Sequence, residues 1–273
     1  NEHYQCETLT HTPESTKLTF KHKDKPVQVN CKLTIICDGA YSPTRDKAGF
    51  TTIKDDYRQT AITANISGKH CNNHIAYERF ISTGPMAMLP LNNNRYGLVW
   101  SNSAERSEQL MQLNDNEFLQ QLQQSFGYRL GKLTQIGTRT SFALKKVLSQ
   151  QLTLERCVVL GNSAHNLHPV AGQSLNLALR DIAHLYDHIT HLDDSTQALV
   201  RYEKSRSKDH LQVMQLSDNL VSLFSNNLPV LNHARSAALA ALDCLPALKN
   251  SIAWRGMGYA QSAASAQRGQ LED

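Results

Sequence analysis

Residues 157 to 189 constrain the fold more than any other stretch. A bare apolar strand, Cys157-Val-Val-Leu160, runs into a loop of small residues from Gly161 to Gly172 and then into an amphipathic helix. Leu175, Leu179, Ile182, Tyr186 and Ile189 are spaced i, i+4, i+7, i+11 and i+14, the stripe a helix turns toward a core. Leu33-Thr-Ile-Ile-Cys37 is a second nearly continuous apolar run, ending in Asp38-Gly39, and it predicts a strand buried on both faces. Such strands belong to parallel sheets, and open α/β sheets bind ligands in the loops at their carboxyl ends.

The remaining chain has a different texture. Residues 16–22 and 27–31 alternate apolar and polar, which predicts a short antiparallel meander. From about residue 51 to 148 the segments 60–66, 75–81, 86–89 and 96–100 alternate between Gly, Asn and Pro turns, the pattern of a largely antiparallel sheet. One helix interrupts it, with Asn114 and Glu117 forming a capping box and Phe118, Leu119, Leu122 and Phe126 a single stripe. After residue 195 the pattern is helical. The expected divisions are therefore 1–50, 51–150, 151–195 and 196–273.

Composition narrows the functional classes. Hydrophobic residues make up 40% of the 273 and charged residues 19%, enough apolar content for a core and too much for a disordered tail. Twenty-eight Lys and Arg against 24 Asp and Glu leave only +4, and no basic run concentrates it, so nucleic acid is not an expected partner. The six cysteines form no C-x-x-C, and Cys37 and Cys157 sit in apolar runs, as buried free thiols of a reducing compartment do. No stretch approaches the ~18 uncharged apolar residues of a membrane span.

Three chemistries fit residues 157–181 taken alone. Helix-start N–H groups from Gly172 to Asn176 can face an anionic or carbonyl-rich ligand. Gly161-x-Ser163-x-His165 has the outline of a hydrolase elbow, with His where the tight turn requires Gly. His165 and His168 could begin a zinc site, but no third ligand follows in a recognisable spacing, and no metal is expected. The octapeptide Asp38 to Arg45 reads either as a turn with Ser42 capping a helix and Arg45 in solvent, or as a turn facing phosphate.

Together, Asp38-Gly-x-x-Ser42-x-x-Arg45 and Gly161-Asn-x-Ala-His165-x-x-x-Pro169-x-x-Gly172-x-x-x-Asn176 resemble the flavin-dependent aromatic monooxygenases of the p-hydroxybenzoate hydroxylase type. Residues 77–80, 84–91, 96–100, 126–132 and 167–173 narrow the resemblance to the ubiquinone-biosynthesis hydroxylases, over about residues 30 to 225. The resemblance implies an α/β (α+β) fold: part of a Rossmann-like FAD-binding domain, an inserted antiparallel substrate sheet and a helical C-terminus. It implies that Asp38, Gly39 and Arg45 border the FAD phosphates, that Gly161 and Asn162 lie by the ribityl chain, and that Pro169 shapes the loop. Gly172, Gln173, Ser174, Leu175 and Asn176 would face the isoalloxazine edge. Amides there would stabilise the negative charge of reduced flavin.

The activity implied is hydroxylation of a polyprenyl methoxyphenol ring with NAD(P)H and O2, through an oxygen adduct at flavin C4a. A cytoplasmic enzyme, peripheral to the inner membrane and meeting other ubiquinone-biosynthesis proteins, is implied with it. The wide apolar face of residues 228–249 suits such a surface. A Ser163/His165 hydrolase and a lipid-binding scaffold without flavin are the alternatives.

The family's G-x-G-x-x-G is absent from a chain that opens at Asn1, so a first βαβ unit is expected upstream and the 273 residues read as an inactive fragment. Asn162 replaces the family's acidic residue, and Ser174 and Ala178 replace glycines. Tyr77, Glu78, Arg79 and Arg95 lie on the expected substrate sheet and read as structural residues, leaving no catalytic base assigned.

Overall fold

The two apolar strands lie side by side. β4 (Thr34–Ile36) and β12 (Cys157–Val159) pair in parallel, with Ile36 opposite Val159, and β11 (Thr153–Leu154) adds an antiparallel third strand. The computed structural model describes residues 4–12, 14–69, 74–190, 194–224, 241–242 and 244–256, in two compact units. The first comprises residues 1–55, 146–217 and 239–273; the second comprises 56–145 and 218–238.

In the first unit, β1 (Gln5–His11), β2 (Thr16–His22) and β3 (Lys25–Cys31) form the antiparallel meander. Lys23 and Asp24 both take positive φ at its tight turn, the geometry that matches strand twist in a two-residue hairpin loop. Cys6, Leu9 and Leu18 join Ile36, Cys157, Val158, Val159 and Leu160 in one core. The expectation for residues 33–37 is corrected at the edge: Ile35 and Cys37 are exposed, because β4 ends its three-stranded sheet and only one of its faces is covered. Cys157 is buried as expected.

This unit also holds α4 (Gln173–Thr190), most of α5 (Ser195–Phe224) and a helix over Pro246–Gly256. The helix forms as the stripe predicts and Ile189 packs on the core, but most of the stripe faces outward. Leu175 is 68% exposed, Leu179 56% and Ile182 52%, while the face turned inward carries Leu177, Arg180, Asp181 and Leu185. The polar pair prevails because α5 supplies its ion partners, as described below. Once these charges lie inside, each must keep its partner, since a buried charge left unpaired costs several kcal/mol.

The second unit is built on antiparallel strands in the order β5 (Thr52–Gly68), β8 (Arg95–Ser103), β7 (Gly84–Leu91) and β6 (Tyr77–Ile81). Ile62, Trp100 and Met86 fall in one cross-strand row, and Ala64, Leu98 and Met88 in the next. α3 (Asp115–Phe126) brings Phe118 edge-on to Trp100, with ring centroids 5.8 Å apart. Its capping box is formed by Asn114 and Glu117 as the sequence predicts. α2 (Ala104–Gln112), capped by Ser103, has no counterpart in the sequence reading, since Leu110 and Met111 alone give no stripe. Most of residues 228–249 lies outside the described residues.

Candidate functional site

Both sequence motifs leave the carboxyl ends of the adjacent parallel strands, and Ser163 joins them. Gly39 N donates to Ser163 Oγ at 2.9 Å, and Ser163 Oγ donates to Asp38 Oδ1 at 3.2 Å. Arg45, on the short helix α1 (Pro43–Lys47), sends Nη1 to the carbonyl oxygens of Ser163 and Ala40 at 2.9 and 3.1 Å. The turn reading of this segment holds for Ser42, whose hydroxyl accepts from Arg45 N, and fails for Arg45. Arg45 is fully buried, because a guanidinium can satisfy carbonyls of two loops at once. Burial alone would raise the Asp38 carboxyl, but hydrogen bonds from Ser42 and Thr44 hold it below the usual carboxylate value.

The same contacts exclude the hydrolase elbow. Ser163 is fully buried and engaged with Asp38 and Gly39, while His165 Nε2 turns to Asp181 instead. The paired histidines separate too, since His168 Nδ1 accepts from Val170 N at 3.1 Å and shapes the turn behind Pro169.

What the loop leaves open is a path along its surface. Gly161 and Gly172 take positive φ, and an added Cβ at either meets nothing within 4 Å. Asn162, Gly172, Leu175 and Asn176 are exposed, and Pro169, Gln173 and Ser174 are half-buried, so the entrance to α4 is not packed away. A short 3-10 turn over Val170–Gly172 leads into that entrance. Gly39 has positive φ and the same open space beside Asp38. An extended cofactor with a flat ring fits such a surface: glycines admit close approach, and the helix start favours negative charge.

Behind the loop lies a group the sequence reading missed. His165, on the two-residue strand β13 (His165–Asn166), has Nε2 3.2 Å from Asp181 Oδ2. His210 Nε2 lies 2.9 Å from both Asp181 oxygens, and Arg206 Nε donates to Oδ1 at 2.7 Å. Arg206 also reaches Asp209, which accepts from Arg180 Nε at 2.9 Å. Burial would raise the Asp181 carboxyl, but His165, His210 and Arg206 together hold it far below the usual range. Burial lowers His165 and outweighs the pull of Asp181.

His165, Asp181 and His210 could in outline ligate a metal. The charge balance argues against it. Two arginines already neutralise two carboxylates, so a divalent ion would be buried uncompensated, at a cost of several kcal/mol or more. The sequence signal for this group is slight: Arg206, Asp209 and His210 are spaced i, i+3 and i+4, and Arg180-Asp181 is an adjacent charged pair inside an apolar helix.

On the sheet of the second unit, Arg79 Nη1 caps the end of α3 at the Phe126 carbonyl. Tyr77 packs edge-on against Phe126, and Arg95 Nε reaches Asn92 O at 3.4 Å. These are structural positions, and Glu78 is exposed.

Residues 2–217 match the FAD binding domain family. The chain belongs to that family. It is 33% identical over 236 residues to the ubiquinone hydroxylase UbiL of Rhodospirillum rubrum, covering 84% of this chain and 55% of the relative. To the 3-demethoxyubiquinol 3-hydroxylase of Escherichia coli it is 30% identical, over 84% of this chain and 60% of the relative. Among solved structures, p-nitrophenol 4-monooxygenase PnpA of Pseudomonas putida superposes with a TM-score of 0.74 at 13% identity, over 93% of this chain and 66% of that one. The chain thus spans somewhat more than half the length of the curated relatives it matches. FAD is the cofactor of the family, and the open glycines and exposed helix entrance fit it.

Proposed function

We propose that this chain supplies the flavin loop and the substrate sheet of an FAD-dependent monooxygenase that hydroxylates a polyprenyl methoxyphenol in ubiquinone biosynthesis. One observation carries the reading: two loops leave adjacent parallel strands, are stitched through Ser163, and present open glycine positions beside an exposed helix start. The names of the two relatives, both hydroxylases of that pathway, support the substrate class. The segments 77–80, 84–91 and 126–132 favour 2-octaprenyl-6-methoxyphenol within it.

FAD, when bound, supplies the redox and oxygen chemistry, with NAD(P)H as reductant and O2 as oxidant. The chain's own residues hold and orient it. Gly161 and Asn162 line the ribityl chain, Pro169 turns the loop and accepts from Gly172 N at 3.0 Å, Gly172 gives the ring close approach, and Gln173, Ser174, Leu175 and Asn176 offer amides to the ring edge. Asp38 and Gly39 border the phosphates, and Arg45 acts on that region through Ser163. In the second unit, Thr63, Val99 and Ala87 form one cross-strand row on the face opposite the core, small enough to leave room for a flat phenol.

The substrate's prenyl tail calls for contact with a membrane surface. No helix among the described residues is long and apolar enough to cross a membrane. The helix Pro246–Gly256 exposes Leu248, Ile252 and Trp254, suited to lying at the interface beside the inner membrane, near other enzymes of the pathway.

The gene carrying this sequence, introduced into a bacterium lacking a ubiquinone ring hydroxylase, is expected to restore ubiquinone, and Gly172→Val to abolish that restoration. Absence of any ring hydroxylation with the unaltered gene contradicts the proposal.

A further inference from the structure

We infer that His165 is the positioning residue of the flavin loop: its ring, clamped by Asp181 and His210, fixes where the backbone from Gly161 to Gly172 lies. The inference rests on reading that loop as the flavin site, and it adds a residue set that the loop motif does not contain.

Three elements meet at one carboxylate. His165 stands two residues beyond Ser163, where the loop is tied to Asp38, Gly39 and Arg45. Asp181 lies on α4, about two turns beyond the helix entrance. Arg206, Asp209 and His210 come from α5. The first half of the loop is thus tied through His165 to the same helix into which the loop leads. Two-residue β13 contributes little by itself, with Leu148 opposite His165 and Val147 opposite Asn166.

Asp181 is saturated. Arg206 Nε, His210 Nε2 and His165 Nε2 all converge on its two oxygens, and the imidazoles stand edge to face with centroids 4.9 Å apart. Burial keeps the His165 imidazole neutral beside two arginines that already balance two aspartates, so it donates from Nε2. A neutral donor on a fully ionised, immobilised acceptor sets ring direction, much as outer-shell carboxylates orient ligating histidines elsewhere. Among the described residues, buried His165 Nδ1 has no hydrogen-bond partner, so the Asp181 contact is the polar contact that fixes the ring's orientation. Losing it releases the ring.

The test is amide hydrogen exchange on the chain itself, comparing His165→Leu with His165→Gln. The Gln amide nitrogen can occupy the place of Nε2 and donate to Asp181; Leu cannot. His165→Leu is expected to speed exchange of residues 161–172 by about tenfold or more, with β1–β3 and β5–β8 unchanged, and His165→Gln to stay within about threefold of wild type. Unchanged loop exchange in His165→Leu overturns the inference. So does equal acceleration in both variants, or acceleration spread evenly over β1–β3, since either marks a general packing role. FAD titration by flavin fluorescence, on the protein expressed from the gene carrying this sequence and on its His165 variants, reports separately on the underlying reading. If no form quenches FAD while the exchange pattern holds, the flavin assignment fails and the clamp stands.

Discussion

Arg45 Nη1 donates to the carbonyl oxygen of Ser163 at 2.9 Å, linking residues 118 positions apart and joining the two loops that define the site. The guanidinium is fully buried, and its other nitrogens pair with Asp46. Arg45→Met keeps much of the volume and strands two carbonyls. It is expected to lower unfolding free energy by about 3 kcal/mol, read from urea denaturation. A loss below about 0.5 kcal/mol would show that the loops hold together without it.

Ser163 is a tie between loops, so Ser163→Ala should cost about 1–2 kcal/mol by leaving Gly39 N and Asp38 without their shared partner. A fluorophosphonate should leave the wild-type residue unlabelled. Covalent labelling of Ser163 would restore the nucleophile reading.

Gly172 sits at φ +58 with open space beside it, so strain and blocked approach separate cleanly there. Gly172→Ala should cost about 1 kcal/mol of stability from the left-handed conformation alone. Gly172→Val should in addition abolish FAD binding by the protein expressed from the gene carrying this sequence, measured by fluorescence quenching. Retention of full FAD affinity in Gly172→Val would place the ring elsewhere.

His165 ionises, when unfolded, near its ordinary value of 6.5, and burial lowers it in the fold. Unfolded chains therefore bind more protons below that value, and stability falls as pH drops from about 7 toward 5. Asp181 contributes in the opposite range: its folded value is depressed, so its stabilisation persists above the unfolded carboxylate value and is lost only in stronger acid. Urea midpoints across this range should show a shallower slope between pH 7 and 5 for His165→Gln. An identical slope would assign the pH dependence to other histidines, His184 among them.

Leu179 and Ile182 look like core positions and are solvent-exposed. Leu179→Gln with Ile182→Gln should change unfolding free energy by less than about 0.5 kcal/mol while reducing self-association by light scattering. A loss of about 3 kcal/mol or more would mean that the stripe is buried in solution.

The sequence was most legible where one interaction suffices to set local structure. Asn114 and Glu117 cap α3 from within four residues, and the strands carrying Ile62, Met86 and Trp100 declare themselves by alternation. The bare strand 157–159 and the turn at Asp38-Gly39 likewise locate the two loops. What sequence hid is long-range polar pairing. Periodicity assigns the inward face of α4 by apolar content alone, whereas Arg180 and Asp181 turn inward because Asp209, Arg206 and His210 meet them from α5. The turn reading leaves Arg45 in solvent, and the phosphate reading aims it at a ligand, for the same reason: its acceptor, Ser163 O, lies on a distant segment that no local pattern connects to it.

The most direct measurement is a crystal structure of the polypeptide carrying this sequence with FAD bound. The isoalloxazine edge is expected over Gly172 and within hydrogen-bonding distance of the amides between Gln173 and Asn176, with the phosphates toward Asp38 and Gly39. A flavin bound away from the α4 entrance, or amides there already paired with protein acceptors, would contradict the assignment.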